Sequence, residues 1–174
     1  MKEIYTWVDW FSELCQKIAN EDSGDLVKKA KLVPWSTKPS TDESEDIVSL
    51  LRFGDKNIDP FSFIYFLASR NNWPSVRKQV YPAIKRIFNL SVSDIPLDIA
   101  DFWVFPTPQP RGGVLFHGGD TSNPNVLWNL FRQVVRDPVN ISENDFKKAL
   151  KIKNVGVGKL TQALYLISPH YFSQ

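Results

Sequence analysis

The residues best placed to do chemistry are Gly156, Val157, Gly158 and Lys159, preceded by Lys151 and Lys153 and followed by Thr161. Two glycines bracketing one hydrophobic residue allow backbone angles that a Cβ would block. The spacing predicts a tight turn from one helix into the next, with Val157 tucked between them. The first backbone N–H groups of the second helix then face outward, where the helix dipole adds positive potential. A phosphate fits such a ring of donors. Lys159 would stand beside it, Lys151 and Lys153 would approach from the first helix, and Thr161 would lie nearby. Lys147 and Lys148 would extend the patch. The implied chemistry is a grip on a nucleic-acid backbone without reading bases. The same spacing also suits a plain tight turn, with its lysines on a solvated helix face.

Other reactive residue types point less clearly to a site. His117 and His170 are the only histidines. They lie far apart without HExxH spacing, and a metal usually needs three protein ligands. Cys15 is the single cysteine, which excludes an internal disulfide and a cysteine-based zinc cluster. It falls on an apolar helix face and reads as a buried thiol rather than a nucleophile. The stretch from Gly156 to Lys159 lacks the strand and glycine spacing of a Walker A loop. Asp94, Asp98 and Asp101 offer carboxylates, but loop and cap roles fit them better than acid–base or metal chemistry. No metal, no cofactor and no complete active site are expected, and the chain reads as non-catalytic.

The elements that must position these residues are mostly helices. Ile4, Trp7, Trp10, Phe11, Leu14 and Ile18 recur at three- and four-residue steps, predicting an amphipathic helix over residues 3–20. A short helix is expected over 24–32, then a polar surface loop over 34–46. Asp59 and Pro60 form a helix start, with Asp as N-cap and Pro at the first helical position. The apolar run after them is the candidate central helix. Trp73 and Pro74 open another helix to about Phe88, kinked at Pro82. Its polar face carries Arg77, Lys78, Lys85 and Arg86, a second basic strip.

Residues 95–120 change character. Pro96, Pro106, Pro108 and Pro110 join Gly112, Gly113, Gly118 and Gly119 in a long irregular loop. Asn123 and Pro124 start a helix ending near Arg136, and Ser142 with Asp145 reads as a capping box before the next one. The expected fold class is mainly α: a compact multi-helix domain with a long Pro/Gly-rich central loop. It is read as a single helical domain over 1–174, with possible lobes 1–93 and 94–174. Trp7, Trp10, Phe61, Phe63, Phe66, Trp128 and Phe131 fall on apolar faces and are expected in the core rather than stacked on bases.

Composition sets outer bounds. The 174 residues are 43% hydrophobic and 23% charged, ordinary for one globular domain. The net charge of +2 is too mild to indicate a nucleic-acid partner by itself. From Trp128 onward, however, seven basic residues face three acidic ones. No run of 18 apolar residues and no signal-peptide core is present, so no membrane contact and a cytoplasmic location are expected.

Two resemblances sharpen these expectations. Residues 150–167, a helix end followed by Gly156, Val157, Gly158 and a new helix, resemble a helix-hairpin-helix motif. DNA glycosylases of that class carry a catalytic Asp about one helix later. No Asp lies downstream of Asp145, so the resemblance carries over no glycosylase chemistry here. The stretches 58–66 (IDPFSFIYF), 127–135 (LWNLFRQVV) and 145–169 resemble, in that order, the region preceding the ATPase domain of McrB-like AAA+ restriction proteins. They cover about a third of the chain, and residues 105–113 depart from that pattern. The resemblance implies an accessory module of a restriction or defence system that engages DNA. An AAA+ motor would follow Gln174 in the full gene, and a separate nuclease subunit would cleave. No catalytic residue carries over. The alternative is a protein-interaction domain of such a system, docking through Trp103 or the 105–113 segment. A degenerate glycosylase or nuclease relative is the remaining reading.

Overall fold

Trp7, Trp10, Phe11, Leu14, Cys15 and Ile18 line one stripe of the first helix, and all six are buried. That stripe explains why α1 (Thr6–Ala19) forms and what it packs against. The computed structural model describes residues 6–35, 52–53, 57–69, 74–97, 115–116 and 123–172. Most of the loop read over 34–46, the acids Asp98 and Asp101, Trp103, the 105–113 segment and His117 lie outside the described residues. So does most of the Pro/Gly-rich loop read over 95–120.

The described elements continue with α2 (Ser23–Lys31), β1 (Arg52–Phe53), β2 (Asn57–Ile58), α3 (Pro60–Ser69) and α4 (Pro74–Ile87). Then come α5 (Asn123–Arg136), α6 (Glu143–Leu150), α7 (Val157–Ile167) and α8 (Pro169–Phe172). The fold is mainly helical, with one two-residue antiparallel ribbon pairing Arg52 with Ile58 and Phe53 with Asn57.

Helix α3 is the centre. Its residues from Pro60 to Ala68 are all buried, as an apolar run with no polar face requires. Phe61 meets Phe131 of α5 edge-on at 5.6 Å, and Trp35 meets Phe63 and Phe66 edge-on. Helix α1 crosses α5 and α7, and α3 also packs on α5 and α7. The hydrophobic cluster therefore runs from Trp7 to Ile167, joining the halves 1–93 and 94–174 in one core. Trp7, Trp10, Phe61, Phe63, Phe66, Trp128 and Phe131 all lie in it, each contributing about 1.5–3 kcal/mol of burial.

Local grammar sets the boundaries. Asp59 caps α3, its Oδ1 accepting from Ser62 N at 2.8 Å. Helix α4 runs through Pro82 and ends in a Schellman turn. There Leu90 N donates to Lys85 O, Asn89 N donates to Arg86 O, and Asn89 takes the left-handed position at φ 51°. Glu13 of α1 then fixes the following segment, accepting from Ser91 N, Ser91 Oγ and Val92 N at 2.7–2.9 Å. The basic strip expected on α4 does not form as drawn. Arg77 is only 4% exposed and belongs to the interior, and Lys85 donates to Ser93 O, leaving Lys78 and Arg86 at the surface.

Candidate nucleic-acid interface

The approach to the turn is built by α5 and α6. Ser142 caps α6, its Oγ accepting from Asp145 N at 3.3 Å. A capping box would return a bond from the third helical residue to the Ser142 N–H. Here Gln133 of α5 takes that role: its Oε1 accepts from Ser142 N at 2.9 Å, and its Nε2 donates to Asp145 Oδ2 at 2.7 Å. Helix α6 is thereby bracketed to α5, its main packing partner, whereas α7 packs on α8, α1 and α3. Ala149, Ile152 and Val155 are buried and anchor the connection.

The turn is exposed, but not for the expected reasons. Gly156, the N-cap of α7, has φ −90° and ψ 167°, an extended conformation open to any residue. A Cβ at Gly156 or at Gly158 would meet no atom within 4 Å. The left-handed backbone falls instead on Asn154, at φ 67°. Val157 does not tuck between helices; it is 60% exposed, because Ile152 and Val155 already fill the space beneath the turn. Thr161 turns its hydroxyl back onto the carbonyls of Val157 and Gly158.

Lys159 is the main correction. It faces the interior. Its Nζ donates to Leu115 O at 2.6 Å and sits 4.4 Å from the Phe116 ring centroid and 5.8 Å from that of Tyr65. Burial lowers its ammonium to about 8, with Asp59 pulling the other way. Asp59 is fully buried, and burial pushes its carboxyl up to about 6 against the hydrogen bonds from Ser62 and the charge of Lys159. Ser62 Oγ donates to Asp59 Oδ2 at 2.5 Å and accepts from Phe116 N at 2.8 Å. Asp59, Ser62 and Lys159 thus form a latch that pins residues 115–116 over the start of α3. No sequence spacing announced this cluster, because its parts come from three distant stretches of chain.

The other lysines do face solvent. Lys151 and Lys153 are exposed and make no ion pair among the described residues. Lys147 and Lys148 are exposed and pair with Glu143 and Asp145 on their own helix, at 2.5 and 3.4 Å. Such pairs are worth about 0.2–1 kcal/mol and exchange readily for other anions. The assembled surface is a helix N-terminus without a side-chain cap, two bare glycine positions, and lysines on the approach. A helix N-terminus of this kind is a candidate place for an anion.

Residues 7–174 match the family described as a domain of unknown function, DUF8425. The chain belongs to the DUF8425 family. A comparison with curated proteins and one with solved structures gave no match. Family membership covers nearly the whole chain, including every element around the turn.

Cys15 is fully buried, and burial raises its thiol well above the usual range, as suits a structural residue. His170 is exposed on α8. Among the described residues no helix is long and apolar enough to cross a membrane, and no group of three or more metal-ligating side chains gathers.

Proposed function

We propose that the chain is a DNA-backbone-binding module that works by contact rather than catalysis. The observation that carries this reading is the exposed start of α7, where Gly156 provides no side-chain cap while Lys151 and Lys153 stand solvent-exposed beside it. Uncapped N–H groups, a positive helix end and unpaired ammonium groups are what a phosphate needs. The phosphate contacts are Gly156, Val157 and Gly158 through the backbone and Lys151 and Lys153 through their side chains, with Lys147 and Lys148 at the margin. The setting, an accessory module of a restriction-type defence system with a separate AAA+ motor and nuclease, rests on the likeness of residues 58–66, 127–135 and 145–169 to McrB-like proteins.

The test is fluorescence anisotropy with duplex DNA across a salt series, comparing wild type with Lys151→Ala/Lys153→Ala. Binding whose log–log salt slope becomes shallower by roughly two in the double variant supports the reading, since each phosphate contact contributes about 0.9. A folded wild-type protein that fails to bind at low salt sinks it and returns the protein-docking role of residues 105–113.

A further inference from the structure

A second polar site lies at the other end of α6. The end of α1, the C-terminal half of α5 and the first turn of α6 line an open cleft of about 590 Å³. Asn20, Asn129, Arg132, Gln133, Arg136 and Asp145 line it. Arg132 and Arg136 are four residues apart and so share one face of α5. Arg132 is held in place. Its Nε donates to Ala19 O at 3.1 Å, its Nη2 donates to Glu21 O at 2.8 Å, and its guanidinium lies 4.9 Å from the Trp128 ring centroid. A guanidinium has five N–H donors, so this anchoring leaves donors for a guest. Arg136 is exposed and makes no ion pair among the described residues.

The lining carboxylate, Asp145, is already engaged by Gln133 at 2.7 Å and Lys148 at 3.4 Å. Two arginines and three amide side chains outweigh the one carboxylate, which is held by Gln133, and suit a compact oxyanion. Planar guanidinium groups match the oxygens of a phosphate in particular.

We infer that this cleft binds a phosphate group. Its phosphate chemistry stands on the cleft alone; a polynucleotide as the source of that phosphate rests on the proposed function of the turn. Helix α6 links the two sites. Its eight residues rise about 12 Å, a length over which one DNA strand presents three or four phosphates along the axis. Lys151, at the far end of that helix, follows Lys148 by three residues and Lys147 by four.

The experiment pairs anisotropy on duplex DNA over a salt series with calorimetric titration of pyrophosphate. The proteins are wild type, Arg136→Ala, Lys151→Ala/Lys153→Ala, and Lys78→Ala as a charge-matched control from α4. A polynucleotide guest makes the DNA salt slope about one contact shallower in Arg136→Ala but not in the control. A free phosphate compound as guest removes pyrophosphate binding in Arg136→Ala and leaves DNA binding unchanged. Either result supports the cleft. If Arg136→Ala alters neither readout, or Lys78→Ala matches it in both, the cleft is not a phosphate site. An effect of Arg136→Ala alongside an inert Lys151→Ala/Lys153→Ala pair removes the turn from the interface and leaves the cleft standing.

Discussion

A methyl group added at Gly158 would enter open space, in the first turn of a helix where Ala is favoured over Gly by up to about 1 kcal/mol. Folding therefore does not require this glycine, and under the proposed function its use is close approach of a phosphate to the backbone. Gly158→Ala is expected to keep or raise the melting temperature while weakening DNA binding severalfold. If affinity is unchanged, the ligand does not approach the backbone there. Strain sits at Asn154 instead, where φ is 67°. Asn154→Val should cost about 1–2 kcal/mol in urea denaturation. Lys159 separates from its neighbours in the same way. Lys159→Met keeps the aliphatic stem but loses the bond to Leu115 O, so it should lower stability by about 1–2 kcal/mol. It should not change the salt slope of DNA binding, unlike Lys151→Ala/Lys153→Ala. The glycine–lysine pattern was legible as a helix-to-helix turn, but the direction of Lys159 was not, since it is set by Leu115, 44 positions away. The inward lysine and the outward Val157 are two sides of one fact: Ile152 and Val155, not Val157, plug the turn.

Among the elements, α6 is the piece on which both proposed anion sites depend, and it is short. Eight residues with one fully buried side chain, Ala149, do not hold a helix by packing alone. The Ser142 cap and the double hydrogen bond from Gln133 supply the rest. Ser142→Ala should cost about 1 kcal/mol. Hydrogen exchange should show the added opening concentrated in α6 rather than spread through α1 and α3; a uniform loss of protection would mean that α6 does not open on its own. The helix starts at Asp59–Pro60, Asn123–Pro124 and Ser142 were readable because capping is local chemistry. The ribbon of β1 and β2 was not. It is two residues per strand, and Ser23 and Trp128 hold it through hydrogen bonds to Ile58 from 35 and 70 positions away. Gln133 escaped for a related reason: among the other polar residues of α5 it looks solvated until α6 is folded back onto it.

For the whole molecule, the core joins distant stretches around α3, and the price of that closure is a carboxylic acid at its centre. Asp59 is fully buried with its carboxyl raised to about 6, mainly by burial. The folded state thus holds this proton more tightly than the unfolded chain, whose value is near the ordinary 3.8. Its contribution to stability is fully present below that ordinary value and is lost as pH rises through about 6. A two-unit shift corresponds to a loss of at most about 3 kcal/mol. Glu13 acts in the opposite sense. Burial raises its carboxyl, but the hydrogen bonds from Ser91 and Val92 outweigh this and leave it lowered, so its contribution disappears as pH falls through its folded value. Lys159, lowered to about 8 by burial, adds stability as pH climbs from there toward 10.5. Subtracting a variant isolates Asp59 from these opposing trends. Asp59→Asn keeps an Oδ1 acceptor for Ser62 N but cannot ionise. Urea denaturation from pH 4 to 7 should therefore show the advantage of wild type over Asp59→Asn shrinking as pH rises, steepest at about pH 5, midway between the unfolded and folded values, and levelling off above about 6. A difference that stays constant over this range would mean that Asp59 ionises as an ordinary carboxylate. The latch over α3 would then be held by Ser62, Phe116 and Lys159 without a titrating partner.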